Sequence, residues 1–220
     1  MPPGEPLVRW SWIVGNLDEI GRRLLEHVGI AAIAIVVGFV VSFALALATR
    51  RWRRLYGPIL GVTGVLYAIP SLALFALVVP FAGLSLLSAE IALVSYTILI
   101  LVRNIVTGLD TVPAEVLEAA SGMGLTPGQR LWRVELPIAL PIIVAGLRIA
   151  TVTTIGLVTV TSLIGQGGLG YLIVTIGYDG LFPTAILVGA LLSVLLAVAA
   201  DAGLVLLQRS MTPWARARGR

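Results

Sequence analysis

The sequence predicts an all-α integral membrane protein. It has five transmembrane helices, an N-terminal interfacial amphipathic helix, and two short amphipathic helices in the loop between spans three and four. Three observations predict this. Of the 220 residues, 58% are hydrophobic and 12% charged, against about 25% charged in a soluble domain, and the mean hydropathy is +1.03. Five apolar runs approach or exceed the roughly 20 residues that cross a hydrocarbon core of about 30 Å. Of the loops between those runs, only alternate ones carry arginine.

Residues 1–28 lack the basic, apolar and small-residue regions of a secretory leader. Within 10–28, Trp12, Ile13, Leu17, Ile20, Leu24 and Leu25 recur at helical spacing, with Asp18, Glu19, Arg22, Arg23 and Glu26 between them. That pattern predicts an amphipathic helix lying along the first span. The spans are placed at about 29–49, 58–81, 86–107, 137–164 and 182–208. The chain thus divides into an N-terminal segment (1–28), a membrane domain (29–208, with a polar loop at 108–136) and a tail (209–220).

Arg50, Arg51, Arg53 and Arg54 follow span one. Arg103, Arg130 and Arg133 accompany the loop after span three, and Arg209, Arg216, Arg218 and Arg220 follow span five. The loops at 82–85 and 165–181 hold no basic residue. The positive-inside rule then puts the N-terminus outside and the C-terminus in the cytoplasm of a multi-pass cell-membrane protein.

Composition also excludes chemistry. There is no cysteine and one histidine, His27, so no metal cluster of the usual ligands is expected. All 15 basic residues are arginine. Without lysine the chain cannot supply a Walker A loop or a Schiff base. No catalytic residue is predicted: Glu90 and Asp201 are isolated acids. The arginines report orientation in a lipid membrane, not a nucleic-acid partner.

The loop at 108–136 carries the densest local signals. Pro113 suits a first helical position, and Glu115 faces the positive end of the helix dipole. Val116, Leu117, Ala120 and Met123 form an apolar stripe, and Gly124 suits the left-handed position after a helix. Thr126, Pro127 and Gln129 then spell an N-cap, first position and capping box. The second helix carries Leu131, Trp132 and Val134 and is expected to stop before Pro137, which starts span four. Such a pair of helices fits either a connector lying on lipid or a docking element.

The spacing decides between them by resemblance. Glu118, Ala119 and Ala120, three residues, Gly124, nine residues, Val134, one residue, then Leu136 and Pro137 resemble the coupling loop of bacterial ABC importer permeases. The resemblance implies that Glu115, Leu117, Glu118, Ala119, Ala120, Met123, Gly124 and Leu125 contact a cytoplasmic ATPase. Thr126, Pro127, Val134, Leu136 and Pro137 would frame the loop. It further implies two ATPase subunits carrying ATP and Mg, a second permease subunit (identical or related), and an external substrate-binding protein. No cofactor is expected in this chain. The runs Pro70–Leu74, Arg103-Asn104, Thr107-Gly108 and Leu125–Pro127, with Pro141, Gly146 and Arg148, look most like the osmoprotectant permeases for glycine betaine, carnitine and choline. Methionine-importer permeases are the alternative, and a passive channel a more distant one.

Residues 165–170, GQGGLG, fit G-x-G-x-x-G, but they follow a span rather than a strand and no acid lies about 20 residues on. A tight external turn is the structural reading. The resemblance implies an external gate or receptor-facing element at Gly165, Gly167, Gly168, Gly170 and Tyr171. In span four, Thr151, Thr154, Thr161 and Ser162 fall near one face, which suits interhelical packing or pore lining equally. Pro70 and Ser71 interrupt span two, as a packing kink or part of a translocation path. Arg148 and Asp201 lie about 16 Å and 12 Å from the same membrane side by helical rise, which suits a pair between spans four and five or, equally, an Arg148 that snorkels to the interface.

Overall fold

A computed structural model describes residues 6–211; Arg216, Arg218 and Arg220, used above for orientation, lie outside the described residues. The described chain is helical and contains no strand. Helix α1 (Trp10–Gly15) is separated at Asn16 from α2 (Leu17–Arg51). The expected boundary near residue 28 is therefore absent: the charged segment and the first span are one 35-residue helix. At 1.5 Å per residue it is about 52 Å long, well beyond a hydrocarbon core of about 30 Å. The charged extension keeps Leu17 and Leu25 exposed. Its apolar residues Ile20 and Leu24, with Trp12 and Ile13 of α1, pack on Leu169 and Leu172 of the same chain.

The second apolar run is also not straight. Helix α3 (Tyr56–Ala68) and α4 (Ser71–Ala82) meet at Ile69–Pro70 with a bend of 100°. Pro70 has no N–H to continue the ladder and disfavours helical geometry at Ile69, whose ψ is 129°. The carbonyl freed at Ile69 accepts the Tyr96 hydroxyl from α5 (Leu86–Asp110), so the break leaves that group satisfied in an apolar setting. Among the described residues four helices are long and apolar enough to span a membrane, or five where the bent pair counts as one span.

Helix α5 is the hub, packed on α2, α3, α4 and α8 (Leu136–Val158). Its contact with α2 runs along a small-residue face of α2 at Ala34, Gly38, Ser42 and Ala46. A Cβ on Gly38 would sit 1.9 Å from Thr97 Oγ1. Gly38→Leu is expected to destabilise the fold by about 1–3 kcal/mol or more, read as a lower melting temperature of the detergent-purified chain.

Polar-loop helices α6 (Ala114–Gly122) and α7 (Pro127–Arg130) follow α5. The expected stop before Pro137 does not occur: α7 runs through a π-turn, Leu131–Glu135, into α8 and a terminal 3₁₀ turn, Thr159–Ile164. Leu136 N–H bonds Leu131 C=O, five residues back. This wider turn lets the chain reach Pro137, which lacks an N–H, without ending the helix. Helix α9 (Leu169–Tyr171), continued by a π-turn over Leu172–Tyr178, leads to α10 (Pro183–Met211).

Candidate functional site

Two loop assemblies sit at opposite ends of α2. One is the arginine-end loop of α6 and α7; the other is the glycine turn between α8 and α9.

In the arginine-end loop, Pro113 stands as the N-cap of α6 rather than inside it. The helix closes with a Schellman motif: Leu125 N–H bonds Ala120 C=O at 3.2 Å and Gly124 N–H bonds Ser121 C=O at 2.9 Å. This closure needs positive φ, and Gly124 has φ +79°. The chain restarts at once. Gln129 N–H donates to Thr126 Oγ1 (3.3 Å), Thr126 N–H donates to Gln129 Oε1 (2.9 Å), and Pro127 holds the first position. Gly124 and Thr126 therefore fix the turn between the two helices by local chemistry.

The face α6 offers outward is made of Glu115, Glu118, Ala119 and Met123, which is 73% exposed. Leu117 and Leu125 are half-buried, and Ala120 is 1% exposed. The apolar stripe read from the sequence is thus divided between the chain's own packing and solvent. Thr126 and Pro127 are exposed, whereas Val134, Leu136 and Pro137 are half-buried along the π-turn and the start of α8.

Behind that face lies a contact the sequence reading did not single out. Glu135, 1% exposed, is paired with Arg50 at the end of α2 and with Arg130 Nε at 3.0 Å. Arg130 Nη1 also donates to Ser121 Oγ of α6 at 3.0 Å. The only sequence signal was an acid in a position where the motif accepts any residue. Its pairing with Arg130 depends on the π-turn, which no local residue pattern announces.

At the opposite end, Gly165 and Gly168 both have φ +78°, and a Cβ on Gly170 would lie 2.1 Å from Thr159 C=O. The turn is held by α2. Glu26 Oε2 accepts Gly168 N–H at 3.1 Å. His27, fully buried, has Nδ1 accepting Leu169 N–H (3.2 Å) and Nε2 facing Ile155 C=O (3.0 Å). A backbone N–H can only donate, so Nδ1 is the bare nitrogen and Nε2 carries the proton. Arg23 stacks over the Tyr171 ring at 3.6 Å. Gly167 fits against Glu26, where a Cβ would come within 2.1 Å of Oε2. Glu26 and His27 were likewise not marked by the sequence as site residues.

Between the ends, Arg148 and Asp201 form a two-pronged ion pair from α8 to α10, at 2.7 and 2.8 Å. Of the span-four hydroxyls, Thr151, Thr154 and Thr161 are buried inside this chain. Thr161 bonds Val158 C=O and Ser162 bonds Thr159 C=O. The 3₁₀ turn breaks the α spacing that would have aligned all four on one face. Pro70 is exposed at the bend and Ser71 is half-buried.

This arrangement has known counterparts. Residues 28–213 match the family described as binding-protein-dependent transport system inner membrane component, and the chain belongs to it. It is a multi-pass membrane transport subunit. It is 36% identical over 198 residues to the choline transport system permease protein OpuBB of Bacillus subtilis, covering 90% of this chain and 91% of that one. It is 37% identical to the glycine betaine/carnitine/choline permease OpuCB of the same organism (92% and 93% covered). It is also 36% identical to the osmoprotectant import permease OsmW of Salmonella typhimurium (92% and 96% covered). The fold is similar to that of a chain in the inward-facing MetNI methionine ABC transporter, with TM-score 0.80 at 24% identity, covering 90% and 98%.

Proposed function

We propose that this chain is the membrane-spanning subunit of an ATP-driven importer for a small quaternary-ammonium osmoprotectant such as glycine betaine, carnitine or choline. The observation that carries the substrate class is identity of 36–37% along about nine-tenths of the chain to permeases with those names. The arginine end is cytoplasmic and the glycine turn external, in keeping with the arginine-free loop there. One of two ATPase subunits, holding ATP and Mg, seats on the exposed face of α6, and the other on the second permease subunit. Glu118 meets a basic group or backbone amide, Ala119 permits close approach, and Met123 fills a groove. A second permease subunit completes the path, and an external receptor delivers solute near Gly165–Gly170 and Tyr171. Ser71 and Pro70, at the bend, belong to the translocation path in this reading. Burial favours a packing role for Thr151, Thr154 and Thr161.

A methionine or other amino-acid importer is the second reading, favoured by the fold likeness to the methionine transporter. The chain should be co-purified with its ATPase and receptor, reconstituted in liposomes, and tested for uptake of labelled betaine, carnitine, choline and methionine. ATP- and receptor-dependent uptake of a quaternary ammonium solute is expected. Uptake of methionine instead would select the second reading. Solute flux without nucleotide would make the chain a passive channel and overturn both.

A further inference from the structure

We infer that α2 is a connecting rod, one helix anchored to the α6–α7 loop at one end and to the glycine turn at the other, carrying displacement across the membrane. The inference rests on the reading of α6 as the ATPase contact.

The rod is continuous. Its 35 residues contain no proline, and the anchors at Glu26 and Arg50 are about 36 Å apart by helical rise. Both anchors are specific. At the arginine end, Arg50 grips Glu135, whose carboxylate also holds Arg130, and through it Ser121 of α6. A carboxylate so deeply buried cannot exchange its partners for water, so Arg50 must follow it. At the glycine end, Glu26 and His27 hold two successive backbone N–H groups, those of Gly168 and Leu169. The His27 ring is fixed from both sides, its second nitrogen against Ile155 of α8. Between the anchors, the buried face of α2 carries the small residues Ala34, Gly38, Ser42 and Ala46, which let its backbone approach its neighbours closely, and Thr97 of α5 seats against Gly38. Polar attachment at both ends of one unbroken helix is the construction of a part that transmits motion. A helix serving only to pad the bundle against lipid needs neither anchor.

This chain contains no cysteine, so with partner subunits in cysteine-free form single introduced cysteines report on this chain alone. Spin or fluorescent labels at Arg133→Cys (arginine end) and Tyr178→Cys (glycine end), both exposed positions, are read in the complete importer in nanodiscs, with and without ATP. In the parent, ATP changes both signals. In E135Q the signal at position 133 should persist while that at 178 falls about threefold or more. E26A should do the same. The double variant E26A/E135Q should be no worse than either single, because a rod released at one end transmits nothing further when released at the other. If E135Q fails to assemble, R50Q/E135Q removes both charges together and carries the same expectation. A full response at 178 in an assembled E135Q or R50Q/E135Q importer would overturn the rod, as would losses that multiply in the double variant. Absence of any ATP response at 133 in the parent would instead refute the ATPase contact on which the rod depends.

Discussion

Gly124→Val is expected to cut ATP-driven solute uptake about tenfold or more while the chain reaches the membrane at its usual level. The position isolates one physical effect. Nothing lies within 4 Å of where a Cβ would stand, so the substitution meets no steric obstacle. What it meets is φ +79°, which costs a residue with a Cβ about 1–2 kcal/mol and a β-branched one more. The chain escapes by leaving the left-handed region. In doing so it loses the bonds from Gly124 to Ser121 and from Leu125 to Ala120, and with them the fixed angle between α6 and α7. A change of about 1.4 kcal/mol is tenfold in an equilibrium, enough to displace α6 from a seat that must be re-engaged in each cycle. Gly124→Asn is the matched control, since asparagine tolerates this conformation, and should retain most of the uptake. ATPase co-purification and uptake in liposomes read the two variants. A valine variant that transports normally would mean the loop's shape is irrelevant to coupling.

The same residues show what a sequence can and cannot reveal. Gly124, Thr126, Pro127 and Gln129 were legible because a Schellman closure and a capping box are written in residues adjacent along the chain. The spans were legible because an apolar run of sufficient length admits few other fates. Three features were not. The fusion of the charged N-terminal segment with span one was hidden because the change from charged to uniformly apolar residues at Gly29 reads as a boundary, although the helix runs through it. An amphipathic pattern does not say whether its apolar side meets lipid or, as for Ile20 and Leu24, the chain's own Leu169 and Leu172. The π-turn at Leu131–Glu135 was hidden because Pro137 reads locally as a helix start, whereas here a wider turn absorbs it. The 100° bend at Pro70 was visible as a break but not as an angle, because the angle depends on Tyr96 of another helix reaching Ile69. At the bend local chemistry marked the place and a contact distant in sequence accompanies the geometry; the π-turn and the fused helix left no such local mark.

The ion pair of Arg148 and Asp201 carries the second large expectation. Its geometry is that of a guanidinium fork on a carboxylate, 2.7 and 2.8 Å, joining α8 to α10. Each side chain stays about one-third exposed in the single chain. In water such a pair contributes little; along a membrane span, the alternative for either charge is hydrocarbon or a partner subunit, so the pair is the means by which both remain in place. Helix α10 has few buried residues of its own to hold it, chiefly Thr184, Ala185, Gly189 and Ser193 near its start. Its later turns rely more on this contact than α5 relies on any one of its own. Arg148→Gln and Asp201→Asn should each lower the yield of assembled importer several-fold and reduce its melting temperature. The reciprocal variant R148D/D201R should recover part of both, because the fork is restored with its ends exchanged. If the single neutralisations assemble and melt like the parent, the pair does not hold α10. If the reciprocal variant is as damaged as the singles, each charge acts on something other than its partner. Size-exclusion yield and thermal melting of the detergent-purified importer separate these outcomes.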